Sequence, residues 1–158
     1  MTVRAARAGA AVVVALALGF VGGCAPGGDA DGYSTGGDAD GYASGIVAET
    51  NRVRAARGLA ALTPSACAGE HAQTRAAALV GAATLTHADL VPVIDACAPQ
   101  GSAAENLSRS SAAPADVVAA WLASPGHANN LLSDDLTHLA VACVPDAGDL
   151  LCSQIFLG

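Results

Sequence analysis

The sequence predicts an α+β domain, and two observations carry that reading. Three stretches show helical spacing with recognisable start and stop residues. The last twenty-odd residues change to a strand-like period around a two-residue turn. Helices followed by a terminal hairpin define the class.

The 158 residues amount to about one domain. Arg4 and Arg7 precede an apolar stretch, residues 8–23, that is too short and too soon followed by turn residues to span a membrane. It reads as a signal peptide over 1–23. The stretch ends in "VGGC", where small residues before Cys24 resemble a bacterial lipobox, so Cys24 is the expected lipidated N-terminus of the exported chain. An ordinary secretory signal with an incidental cysteine is the alternative. Residues 24–43 read as a flexible Gly/Asp-rich linker, because "GGDADGY" occurs twice at a period of nine. Only two copies exist, and the glycine pattern departs from calcium-binding nonapeptide repeats.

The globular part is expected over 44–158. "SGIVAETNRVRAARG" places Ile46, Val47, Thr50, Val53 and Arg54 along one helical face and closes at Gly58. "TPSACAGEHAQTRAAALVG" opens with Thr63 as N-cap and Pro64 at the first helical position, and closes at Gly81. Residues 84–94 give only a weak strand signal. A third helix starts near Pro114, with Asp116 in its first turn and Val117, Val118, Trp121 and Leu122 facing the core. Ser124-Pro125-Gly126 then makes a helix junction, Ser124 capping and Pro125 opening the next helix, which delivers His127. "THLAVACVPDAGDLLCSQIFLG" reads as a hairpin turning at Ala147-Gly148.

The hairpin register also pairs the cysteines. Four of the five lie beyond Cys24, and an exported chain favours two disulfides. With Ala147-Gly148 as the loop, Asp146 faces Asp149, Pro145 faces Leu150 and Cys143 faces Cys152. Cys143 and Cys152 then fall at a non-hydrogen-bonded pair, where side chains approach most closely. Pro145 falls at the same kind of site, where its missing N–H breaks no rung. The expected bridges are Cys143–Cys152 and Cys67–Cys97.

Charge restricts the partners. Seven arginines, no lysine and fourteen acids give −7, and loss of residues 1–23 removes two arginines, which leaves −9. Nucleic acid is therefore not an expected partner. Membrane attachment would rest on acyl chains rather than on charge.

"NRVRAARGLAALT" (51–63), "LTH" (85–87), "AENL" (104–107), "VVAAWLASPGH" (117–127) and the terminal "QIFLG" together resemble the CAP superfamily, the cysteine-rich secretory, antigen 5 and pathogenesis-related 1 proteins, in its short bacterial SCP-domain form. The resemblance covers residues 44–158. It implies a CAP-type α-β-α sandwich with a central antiparallel sheet and a shallow cleft. His87, Glu105 and His127 match three of the family's cleft positions. The fourth, often an acid, is Ser124 here, and Ala128 stands where arginine is common.

Two imidazoles and a carboxylate could hold a weakly bound divalent metal, zinc or calcium, although no cofactor is required. They could instead do acid–base work on a water, or form a structural hydrogen-bond network. No "GxSxG" elbow accompanies Ser124. His71 is expected on a helix surface, His138 at a strand edge or turn, Trp121 in the core, and Asn129 and Asn130 in caps or local hydrogen bonds, although Asn130 also matches the family's "GHxxN" pattern. The leading functional reading is a non-enzymatic cell-envelope lipoprotein that binds a small ligand, metal, lipid or protein through the His87/Glu105/Ser124/His127 cleft. The alternative is an extracytoplasmic hydrolase of peptides or cell-wall polymers.

Overall fold

A computed structural model of the chain describes residues 39–98 and 100–158. The expected signal peptide, Cys24 and residues 24–38 of the expected linker lie outside the described residues. Nine elements follow in order: α1 (Ala39–Ala55), β1 (Thr63–Pro64), α2 (Ala66–Ala78), α3 (Val91–Cys97), β2 (Ala103–Ser110), α4 (Pro114–Leu122), α5 (Pro125–Leu132), β3 (His138–Asp146) and β4 (Asp149–Leu157).

The sheet runs β1-β3-β4-β2. It is antiparallel across β3, β4 and β2, with the two-residue β1 added parallel at one edge. β4 is central, and its side chains alternate between two helical layers. Cys152 and Phe156 point into the larger core with Ile46, Val118, Trp121 and Leu131 of α1, α4 and α5. Leu151, Ile155 and Leu157 point the other way, against Ala68, Ala72 and Ala76 of α2 and Val93 of α3. An alanine face lets α2 sit close to the sheet. The α-β-α sandwich and the α+β class are both present.

The C-terminal hairpin has the register read from sequence. Asp146 pairs with Asp149, Pro145 with Leu150 and Cys143 with Cys152, and both disulfides, Cys143–Cys152 and Cys67–Cys97, are formed. Ala147 and Gly148 take positive φ values of 52° and 95°, as a primed two-residue turn requires.

Elsewhere the boundaries moved. The first helix begins at Ala39, inside the stretch read as linker, because Tyr42 and Ala43 are buried and the Tyr42 hydroxyl donates to Ala112 O at 2.7 Å. The second repeat copy thus ends in a core residue. Thr63 and Pro64 form a strand rather than a helix start: Thr63 N donates to Thr137 O and Ser65 N to Leu139 O, so proline sits at the one position with no rung to supply. The N-cap is Ser65, whose Oγ accepts from Ala68 N. Residues 84–94, read as a weak strand signal, hold no strand: a loop leads into α3. Pro92 lies in the first turn of α3, and Asp89 Oδ1 accepts from Val91 N at its start. The strand supplied by the middle of the chain is β2, which carries "AENL".

Candidate functional site

β2 is an edge strand, and the cleft forms along its free side. Successive residues on it point to opposite faces. Glu105 turns toward α2, and Asn106 toward the α1/α4/α5 layer. His87 arrives from the loop after α2, and His127 from the first turns of α5. His87, Leu90, Ala104, Glu105, Ser124, Gly126, His127 and Asn130 line one cleft of about 340 Å³. The three residues matched by resemblance, His87, Glu105 and His127, and Ser124 at the fourth position therefore reach the same depression. A second depression of about 430 Å³ shares Ser124 and His127 and continues over Trp121 and Val117.

Glu105 is the anchor of this site. Its side chain is 1% exposed, so its charge needs partners. Oε1 accepts from Arg75 Nε at 3.1 Å and Ser153 Oγ at 3.0 Å; Oε2 accepts from His87 Nδ1 at 2.9 Å and Arg75 Nη2 at 3.4 Å. A carboxylate offers about four lone-pair positions, and four donors occupy them. Because the carboxylate accepts, His87 Nδ1 carries the proton in that bond and Nε2 is left for the cleft. The His87 side chain is 54% exposed.

His127 is held differently. Its backbone oxygen accepts from Asn106 Nδ2 at 3.5 Å, while its ring packs 6.5 Å from the Trp121 ring centroid, tilted by 55°. Burial, reinforced by the nearby His87, pushes its pKa below 6.5. Near neutral pH the ring is uncharged, one nitrogen donating and the other accepting. Trp121 is a core residue as expected, and its Nε1 donates to Leu107 O on the cleft strand.

Ser124 occupies the N-cap position of α5, with Pro125 following, but its side chain makes no capping bond. Position and function as a cap have separated: Ser124 O accepts from Ala128 N, and the hydroxyl is left at the cleft. Asn130 is not a local capping residue. It reaches across to β2, donating to Glu105 O at 3.2 Å and Asn106 Oδ1 at 3.0 Å. Asn106 donates in turn to Gln154 Oε1, and Gln154 to Thr50 Oγ1, a buried amide relay from α5 to α1. His138 begins β3 with its Nδ1 2.8 Å from Thr137 Oγ1, away from the cleft. His71 lies half-buried on α2, not fully on the surface.

Arg75 and Ser153 are site residues that sequence reasoning missed. A signal for Arg75 existed. Only five arginines and no lysine follow residue 23, so a buried glutamate has few cations to choose from.

The three-ligand metal set does not fit this arrangement. Glu105 has no lone pair to spare, and the Arg75 guanidinium adds positive charge beside it. The ligand atoms of His87, Glu105 and His127 are also not gathered within 4.8 Å of one another; among the described residues only one group is so gathered, and it lies elsewhere.

Residues 47–156 match the family described as CAP, cysteine-rich secretory protein family. Among solved structures, the fold is similar to a cysteine-rich secretory protein from Staphylococcus aureus (TM-score 0.64, 18% identity, 74% of this chain and 38% of that one). It is also similar to an extracellular protein containing a SCP domain from Bacillus anthracis (0.58, 21%, 74% and 40%) and to an outer surface protein from Borrelia burgdorferi (0.60, 18%, 76% and 95%). The chain thus spans about two-fifths of the length of the first two. No curated protein sequence matches it.

Proposed function

The chain belongs to the cysteine-rich secretory protein (CAP) family, and from that premise we propose that it is a non-enzymatic binding module of the cell envelope. The observation that carries this reading is the saturation of Glu105. All four acceptor positions of the carboxylate are taken by Arg75, His87 and Ser153, so it orients His87 rather than abstracting protons. The Ser124 hydroxyl and the His127 ring make no hydrogen bond to each other among the described residues, which leaves the cleft without an activated nucleophile. What it offers a ligand is hydrogen-bonding capacity: His87 Nε2, an uncharged His127 and the Ser124 hydroxyl. Leu90, Ala104 and the neighbouring Trp121 surround these with apolar surface. A small molecule, lipid or protein segment with both apolar and hydrogen-bonding parts suits such a lining. A divalent metal held weakly by His87 and His127 without Glu105 is compatible with it.

Export and anchoring are part of the same reading. Cleavage before Cys24 and acylation of its thiol would tether the domain to the membrane, with the acidic spacer holding it off the surface. Among the described residues no helix is long and apolar enough to cross a membrane. Two disulfides accord with an oxidising compartment.

Two measurements test the proposal. Mass spectrometry of the exported protein should find Cys24 acylated, and an unmodified Cys24 would remove the anchor. Purified protein should cleave neither casein nor peptidoglycan. Cleavage that disappears in Glu105→Gln would establish the hydrolase instead.

A further inference from the structure

Away from the cleft, the ligand-forming atoms of Cys67, His71 and Cys97 all lie within 4.8 Å of one another, the one such group among the described residues. Cys67 and His71 stand one helical turn apart on α2, so their side chains share a face. Cys97 ends α3, and its Cα is 5.7 Å from that of Cys67. All three residues are half-buried, within reach of solutes. The other bridge differs in both respects: Cys143 and Cys152 are 6% and 0% exposed between paired strands, and no histidine joins them in such a group among the described residues. The His71 ring takes part in no hydrogen bond among the described residues, and it does not line the cleft.

We propose that the Cys67–Cys97 bond is a reversible cover over a Cys2His site for zinc, or for a similarly soft divalent ion. A dithiol opens it by thiol–disulfide exchange. Its two electrons break the sulfur–sulfur bond, two protein thiols form, and the dithiol leaves as a disulfide. Zinc then displaces one proton from each thiol and binds both thiolates, with His71 as the neutral nitrogen ligand. Two sulfurs about 2.3 Å from a tetrahedral zinc lie about 3.8 Å apart. The Cα spacing allows this separation by side-chain rotation alone. The fourth position is open to water. Two thiolates and an imidazole select zinc over calcium or magnesium, which need oxygen ligands.

The test uses the full chain with Cys24→Ser, purified in detergent, so that four cysteines remain. Mild reduction followed by alkylation and peptide mapping should label Cys67 and Cys97 and leave Cys143–Cys152 intact. The reduced protein should then bind one cobalt(II) with thiolate charge-transfer absorption, displaced by zinc, whereas the oxidised protein gives no such band. That absorption separates the site from His87 and His127, which bring no sulfur. His71→Ala should weaken binding at least tenfold, with Trp121 fluorescence reporting that the reduced chain is still folded. Equal affinity in His71→Ala, no thiolate band after reduction, or opening of Cys143–Cys152 first would each overturn the proposal.

Discussion

Arg75 and Glu105 stand thirty residues apart in sequence and meet at 3.1 Å, an arginine on α2 against a carboxylate on the sheet's edge strand. The pair decides how the cleft works. It fixes Glu105 so firmly that the carboxylate's remaining capacity goes to Ser153 and His87, and the His87 ring is thereby aimed. The arginine side chain is 17% exposed and the glutamate 1%, so the pair is shielded from solvent on the glutamate side.

Removing Arg75 and removing His87, two partners of Glu105, should therefore be unequal. Arg75→Ala strands a buried carboxylate and should lower unfolding free energy by about 3–5 kcal/mol. His87→Ala removes a partner whose side chain is 54% exposed and should cost under about 1 kcal/mol. Urea denaturation of the two variants checks this. Equal losses would mean that Arg75 is not what holds Glu105.

The pH response should come from His127. Its folded pKa lies below 6.5 because the ring is buried and faces His87. Between that value and 6.5 the unfolded chain binds a proton that the folded chain does not, so stability falls as pH drops through this window. Above about pH 6.5 the effect is absent. His127→Gln should flatten the dependence of midpoint on pH below that point, as measured by thermal denaturation across a pH series. An unchanged slope in the variant would assign the effect to another group.

Much of this architecture was legible in the sequence, for physical reasons that can be named. The hairpin was readable because Pro145, Cys143 and Cys152 constrain one register from two independent directions. The cleft trio was readable through a resemblance, not through spacing, since 87, 105 and 127 are brought together only by the sheet. Arg75 escaped because a single arginine in an alanine-rich helix looks solvated until the helix is known to lie against β3 and β4, within reach of Glu105 on β2. β1 escaped because Thr-Pro-Ser is also a good helix start, and only Thr137 and Leu139, far along the chain, accept from Thr63 N and Ser65 N on either side of Pro64. Asn130 escaped for the same reason, its amide bonding to a strand rather than to its own turn.

Two serines at helix starts allow a matched comparison. Ser65 Oγ accepts from Ala68 N at 3.2 Å, whereas Ser124 Oγ makes no cap bond. Ser65→Ala should thus cost about 1 kcal/mol, and Ser124→Ala should stay within about 0.5 kcal/mol of the parent. If Ser124 serves the cleft, its variant keeps stability and loses ligand affinity. Parallel denaturation curves test the first statement, and a cost for Ser124→Ala matching that of Ser65→Ala would return the hydroxyl to a capping role.

The turn of the hairpin carries a residue that its backbone does not favour. Ala147 has φ of 52°, in the left-handed region, followed by Gly148 at 95°. For a residue with a Cβ that conformation costs roughly 1–2 kcal/mol, and Asn-Gly is the dipeptide such turns prefer. The flanking pair Asp146 and Asp149 is fixed by the register, and Asp146 is further tied to Arg109 and to Gly81 N, so the turn cannot relax by shifting. Ala147→Asn should accordingly stabilise the domain by about 0.5–1 kcal/mol, since asparagine tolerates the left-handed region better than alanine does. The gain should appear as a higher denaturation midpoint with an unchanged slope. A lower midpoint would mean that Ala147 and Gly148 do not form a primed two-residue turn in solution.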